Sequence, residues 1–342
     1  TCSNAGSFPA GALQYIGSFS VGGRRTKIAW QPQASLGYGY GYGGVSPAVS
    51  TTIDRLSFTN DTCVFVSSRL PGASTFRNTA VASYPTTSYI YIAGGGPPLS
   101  CSITRHDFSD DSVTTRPSTL PAARQNMFGI PASNQSYFGG GYFGPPAASS
   151  SCSIYRMSFI NETVITLAGT LPTGRAAAAA FQSPTIGYIV GGDNPPSTYT
   201  CAITKLTFTT DTISAGSNIS IASSRISTVE SPTYGYMAGG ERVGQTTPFI
   251  SITYNTIHRM DFATETVSTT PQALPRTYGF RGAGGMSAPG HGYFTGGVTN
   301  PPGGSAYISN VVKMSFTTET NSDLPTKLTR NRYLHGAGST VR

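Results

Sequence analysis

Four histidines, His106, His258, His291 and His335, are the most versatile side chains the sequence offers for catalysis or metal binding. They lack the close His, Asp, Glu or Cys spacing of many metal sites, so no metal and no cofactor is expected. The carboxylates are more regular. Asp61, Asp111, Glu162, Asp211, Glu265 and Glu319 each stand six residues after a base, namely Arg55, Arg105, Arg156, Lys205, Arg259 and Lys313. Six equivalent copies are not what a catalytic pair looks like. They predict architecture, each base pairing with its own acid or with that of a neighbouring unit.

Doubled glycines invite a phosphate-loop reading, but such a loop opens a helix, and no helical period follows any of them. Gly43 and Gly44, Gly94 and Gly95, Gly140 and Gly141, Gly191 and Gly192, Gly239 and Gly240, and Gly296 and Gly297 each come three residues after a Tyr. They read as strand ends where a Cβ is excluded or φ is positive. Cys101, Cys152 and Cys201 each lie two residues before an Ile, one per unit. Equivalent positions on successive units are too far apart for a disulfide, so free thiols are expected, which favours assembly in a reducing compartment. Cys2 and Cys63 are left undecided. Asn60, Asn134, Asn161 and Asn218 head Asn-x-Ser/Thr triplets; two of these fall in a tight turn, where Asn is favoured without glycosylation.

These residues belong to a repeat of 46 to 57 residues, seen six times. Each unit has Tyr-x-x-Gly-Gly, then an apolar residue with a base two positions later and a closing Phe (Ile53-x-Arg55-Leu56-x-Phe58), then Phe-x-x-acid-Thr/Ser. A softer Leu-Pro, Arg and small-residue stretch links one unit to the next, as at Arg175 to Ala180. This predicts four short strands per unit, here a (after the Arg), b (ending Gly-Gly), c (ending Phe) and d (ending near Leu-Pro). Four-stranded units at this period point to an all-β β-propeller. The blades are read as residues 25–76, 77–123, 124–174, 175–224, 225–275 and 276–330. Residues 1–24 supply a d strand and 331–342 one more a strand, so a shared closing blade is expected, leaving six or seven blades open.

The units resemble the kelch repeat, with Arg before the first strand, an aliphatic strand ending Gly-Gly, an aromatic closing the third and Leu-Pro after the fourth. They depart from it in lacking a Trp on strand d; the one Trp, Trp30, lies on strand a. The dialect of GYxxGG, IxRLxF and TxDT resembles the kelch-like propellers of virion and tail proteins of marine tailed phages, especially those infecting cyanobacteria. That resemblance implies a virion or surface location, non-enzymatic work, and other virion proteins or a host-surface glycan or receptor as partners.

Composition agrees with a β-rich, weakly charged chain. Charged residues are 11% of the total, with 41 Gly and 24 Pro, which excludes a coiled coil and collagen, and the aromatic content excludes a disordered linker. No apolar run spans a bilayer, so no membrane insertion is expected. The chain opens at Thr1 without a Met, which reads as processing or excision. The 22 bases against 14 acids give +8, but the bases are scattered through repeat slots, unlike a nucleic-acid footprint, and no nucleic acid is expected.

Recognition is expected in the variable b–c loops, since irregular loops on a rigid scaffold are where binding residues collect. They offer Tyr142, Phe143, Asn194, Tyr199, Arg242, Phe249, Tyr254, Asn300 and Tyr307, side chains suited to stacking on sugars and bonding hydroxyls or to packing on a protein. Two other classes compete with this reading. A secreted glycan-active enzyme or a lectin would need a convergent cluster at one mouth of the channel. A kelch adaptor binding a protein partner would need an added helical domain.

Overall fold

The computed structural model describes residues 18–21, 24–27, 37–45, 48–71, 79–83, 88–96, 98–143, 149–194, 198–243, 251–275, 277, 279–301 and 304–340. Its ring is all-β: six four-stranded antiparallel sheets form a six-bladed propeller. The innermost a strands, blade 1 to blade 6, are Gly336–Ser339, Ala80–Ser83, Gln125–Ala132, Ala179–Gln182, Ser227–Glu230 and Gly284–Ala288. Each touches the next, closing a ring about the axis. Only small or slender residues fit where six sheets converge, hence the Ala and Gly content of these strands.

Strands b follow in the same order as Tyr38–Tyr42, Tyr89–Ala93, Gln135–Tyr142, Ile186–Val190, Tyr234–Ala238 and His291–Thr295. Strands c are Thr52–Ser57, Ser102–Asp107, Ile154–Ser158, Ala202–Thr207, Ile257–Asp261 and Asn310–Ser315. Strands d, on the outer edge, are Thr62–Arg69, Val113–Thr119, Val164–Thr166, Thr212–Asn218, Val267–Thr269 and Asn321–Lys327. The core lies between blades: Tyr91, Ala93 and Ile103 of blade 2 pack with Phe138, Tyr155 and Met157 of blade 3, and the other interfaces repeat this.

Closure differs from the sequence reading, which began the first blade's strand a at Arg25. Arg24–Lys27 pairs instead with Ser18–Val21 in a separate hairpin, and the a strand of blade 1 is Gly336–Ser339, in register with Gly39–Tyr42. The C-terminal segment brings an anchor with it. Arg332 is fully buried, its Nε 3.0 Å from Asp54 Oδ2, its Nη1 donating to the Gly43 and Thr52 carbonyls at 2.7 and 2.9 Å, and its Nη2 to Thr52 Oγ1 at 2.6 Å. A buried guanidinium is tolerated only with such a partner set, and here it fixes strand a to strand c. The ring therefore has six blades and no seventh. Trp30 lies outside the described residues.

The three repeat anchors turn out to be one inter-blade clasp. The acid of each c–d turn reaches back to the preceding blade. Asp111 accepts from Arg55 at 2.9 Å and from Tyr40 Oη at 3.3 Å; Asp61 closes the circle with Lys313 and Tyr293 Oη, both at 2.8 Å. Asp211 joins Arg156 and Tyr137 in the same way. The strand-b Tyr also stacks on the next blade's closing Phe at all six interfaces, as in Tyr137 on Phe208 with centroids 5.5 Å apart and Tyr293 on Phe58 at 4.9 Å. Burial and the adjoining carboxylate push the Tyr91, Tyr137 and Tyr293 phenols up, so they remain donors.

At the other end of strand b the glycines clasp again. Gly141 N–H donates to the Arg175 carbonyl of the next blade at 2.7 Å. A Cβ on Gly140 (φ 65°) would lie 2.4 Å from that same oxygen, an impossible approach for any other residue.

Candidate functional site

The a–b and c–d turns emerge on one face of the ring, here the turn face, and the b–c and d–a connections on the other, the loop face. The b–c connections of blades 4, 5 and 6 each form a small hairpin: Asp193–Asn194 with Thr198–Tyr199, Glu241–Val243 with Ser251–Thr253, and Val298–Thr299 with Ala306–Tyr307. The Gly-Gly bend ends the main sheet and lets the chain re-pair with itself above it.

Several predicted loop residues link neighbouring loops. Tyr142 Oη donates to Asp193 Oδ1 at 3.1 Å, and Ser150 Oγ donates to Asn194 Oδ1 at 2.6 Å, joining blades 3 and 4. Asn300 Nδ2 donates to the Ser251 carbonyl at 3.2 Å, joining blades 6 and 5. Tyr199 and Tyr254 are half-buried, whereas Phe143, Arg242 and Tyr307 are exposed. The Arg124 guanidinium sits 4.5 Å over the Phe143 ring. Phe249 lies outside the described residues.

The structure adds residues from the d–a connections, which the loop-length argument passed over. Glu241, wholly buried, is shared by Arg225 and Arg281 and accepts from Ser251 Oγ at 2.7 Å. Arg281 in turn lies 5.4 Å over the Tyr333 ring, whose centroid is 6.1 Å from that of Tyr307. A continuous chain of contacts thus runs Arg225, Glu241, Arg281, Tyr333, Tyr307 across blades 5, 6 and 1. No repeat slot signalled it: Arg225 follows Ile219-Ser220 instead of a Leu-Pro, and Arg281 comes six residues after Pro275. Asp193 is also buried, and desolvation pushes its carboxyl up, against the opposing pull of Arg225 and Tyr142.

The axis holds a cavity of about 210 Å³ lined by all six a strands, mostly Ala, Gly and Ser. Arg225 and Glu230 border it toward opposite faces. Gln182 Oε1 and His335 Nδ1, both buried on this lining, have no protein hydrogen-bond partner; groups of this kind are where buried water collects. Among the described residues no group of three His, Cys, Asp or Glu is arranged to hold a metal. Cys63, Cys101, Cys152 and Cys201 are free thiols, and burial followed by the Asp54 charge pushes Cys63 up to about 12. The Asn60 and Asn161 side chains accept from Thr62 and Thr163 within their turns at 2.7 and 2.8 Å.

No family model matches the sequence, and no curated protein matches it. Among solved structures, that of YjhT is similar, with a TM-score of 0.66, 14% identity, and coverage of 83% of this chain and 96% of that one. The likeness is one of fold. It extends over almost the whole of YjhT, so the propeller is shared as a unit.

Proposed function

We propose that this chain is a non-enzymatic recognition propeller of the kelch-like type, a virion or cell-surface component associated with a tail or fibre, which binds a host-surface glycan or protein through its loop face. The observation that carries this reading is the division of labour between the two faces. On the turn side the repeated acids, bases, tyrosines and phenylalanines are consumed in clasps that hold blade to blade. On the loop side the non-repeating residues Phe143, Arg242 and Tyr307 stand exposed on a rigid base. The kelch-like and phage-like parts of the proposal rest on the sequence dialect alone.

The test is binding to immobilised surface polysaccharides and to candidate partner proteins, with Phe143→Ala and Tyr307→Ala as variants. Removing an aromatic platform at a binding site typically costs ~1–3 kcal/mol, so each should weaken binding at least about fivefold with an unchanged melting temperature. Wild-type affinity in both variants would sink the loop-face assignment.

A further inference from the structure

Among the described residues the two faces carry opposite charge. On the turn side the six clasp bases offset the six clasp acids, leaving Arg116 against Asp107, Asp110, Glu230 and Asp261. On the loop side the arithmetic reverses. The described carboxylates there, Asp54, Asp193 and Glu241, are all buried against Arg, Tyr or Ser partners. Among the described residues the cations exposed there are Arg69, Arg242, Lys327 and Arg330, with Arg225 and Arg281 partly exposed around the one buried Glu241; exposed Asp323 lies mid-strand on the outer rim. Among the described residues the positive excess thus gathers on the loop side, and its densest arc runs over blades 5, 6 and 1. That arc also carries the Tyr333 and Tyr307 rings.

Resting on the recognition reading above, we infer that the loop face of blades 5, 6 and 1 binds an acidic polysaccharide, one bearing carboxylate or phosphate groups. Exposed guanidinium groups such as Arg69, Arg242 and Arg330, and the pair Arg225 and Arg281 that shares the single charge of Glu241, bond planar or tetrahedral oxyanions, and aromatic rings stack on the apolar faces of sugars. The cations stand singly, one or two to a loop, with Tyr rings between them. That spacing suits a polymer with a charge every residue or two; nucleic acid calls for a dense basic stripe.

The test measures binding of the whole chain to polygalacturonate (carboxylate), a teichoic acid (phosphate), dextran (neutral) and duplex DNA. The variant is Arg242→Glu/Lys327→Glu/Arg330→Glu, whose exposed positions leave the core untouched; Asp110→Lys/Asp261→Lys on the turn face is the control. Expected are at least tenfold tighter binding to one or both acidic polymers than to dextran, loss of that preference in the triple variant and in 0.5 M salt (a screening length of about 4 Å), and no effect of the control. Preference for one acidic polymer identifies the oxyanion. Equal binding to dextran, unmoved by the triple variant, overturns the acidic class and leaves glycan recognition standing. No binding to any polysaccharide overturns the acidic-polysaccharide inference, and binding only to a partner protein in the preceding experiment then confines recognition to proteins. DNA binding as tight as that of the acidic polymers overturns the inference in favour of unspecific polyanion attraction.

Discussion

Six carboxylate residues, Asp61, Asp111, Glu162, Asp211, Glu265 and Glu319, adopt φ between 54° and 56°, a left-handed conformation that side chains other than Gly, Asn and Asp avoid. What holds them there is their partner set. Glu162 accepts from Tyr91 Oη at 2.8 Å, from Arg105 at 3.1 Å and from Arg116. Burial works to raise its carboxyl, and the Tyr91 and Arg116 hydrogen bonds outweigh it, holding the group below the usual carboxylate range. Glu162→Ala should cost about 1–3 kcal/mol, read by urea denaturation, and Glu162→Gln clearly less, since it keeps an acceptor. His335 sets a pH dependence. Burial, then the Arg332 charge, hold it down at about 3, so the folded ring stays unprotonated there while the unfolded chain takes a proton near 6.5. The stability from this neutral His is fully present above about pH 6.5. It is lost as pH falls toward 3, by about 1.4 kcal/mol per pH unit. Burial lowers His258 too. Stability should therefore fall from pH 7.5 to 5, and His335→Gln should flatten that slope; an unchanged slope refutes the assignment.

At the scale of strands and turns, the Gly-Gly bend can be tested against a glycine of similar backbone angle. Gly140→Ala brings a Cβ against the Arg175 carbonyl of the next blade, whereas a Cβ on Gly290 (φ 77°) meets nothing within 4 Å. Both substitutions pay for a positive φ, roughly 1 kcal/mol. Gly140→Ala should lose at least about 2 kcal/mol more than Gly290→Ala in the same denaturation experiment, because a packed interface must open. The strands and their order were legible in the sequence because each anchor recurs at a fixed place in its unit. The partnership of the anchors was not: Tyr137 and Asp211 are 74 residues apart, across a blade boundary that no local window spans. The Glu241, Arg281 and Tyr333 chain was hidden for a related reason. Its members come from three blades and stand at positions where the units differ, as Arg281 does against Ala176 and Ser224, so no recurrence marks them.

For the molecule as a whole, closure depends on one segment. Both ends of the sequence carry a stretch resembling strand a, and composition gives no preference; the choice falls to Arg332 with its buried partner Asp54. Removing residues 332–342 should leave Asp54 uncompensated and strand Tyr38–Tyr42 with a bare inner edge. The truncated chain is expected to lose cooperative unfolding in calorimetry and to elute as aggregates, since an unpaired strand edge templates further pairing. Arg332→Ala should unfold cooperatively but at least about 3 kcal/mol less stably.

The seam at Tyr38 and Thr340, bonded at 2.9 Å across 302 positions, also sets a timetable. Each other blade draws its four strands from one stretch of chain and can assemble as the ribosome delivers it. Blade 1 must wait until residues 336–339 appear, so its b, c and d strands spend most of synthesis, at 5–20 residues per second, as an incomplete sheet. Chaperone dependence during synthesis should therefore track this one blade, and a circular permutant that begins at Arg332 and continues into Tyr38 would remove the wait.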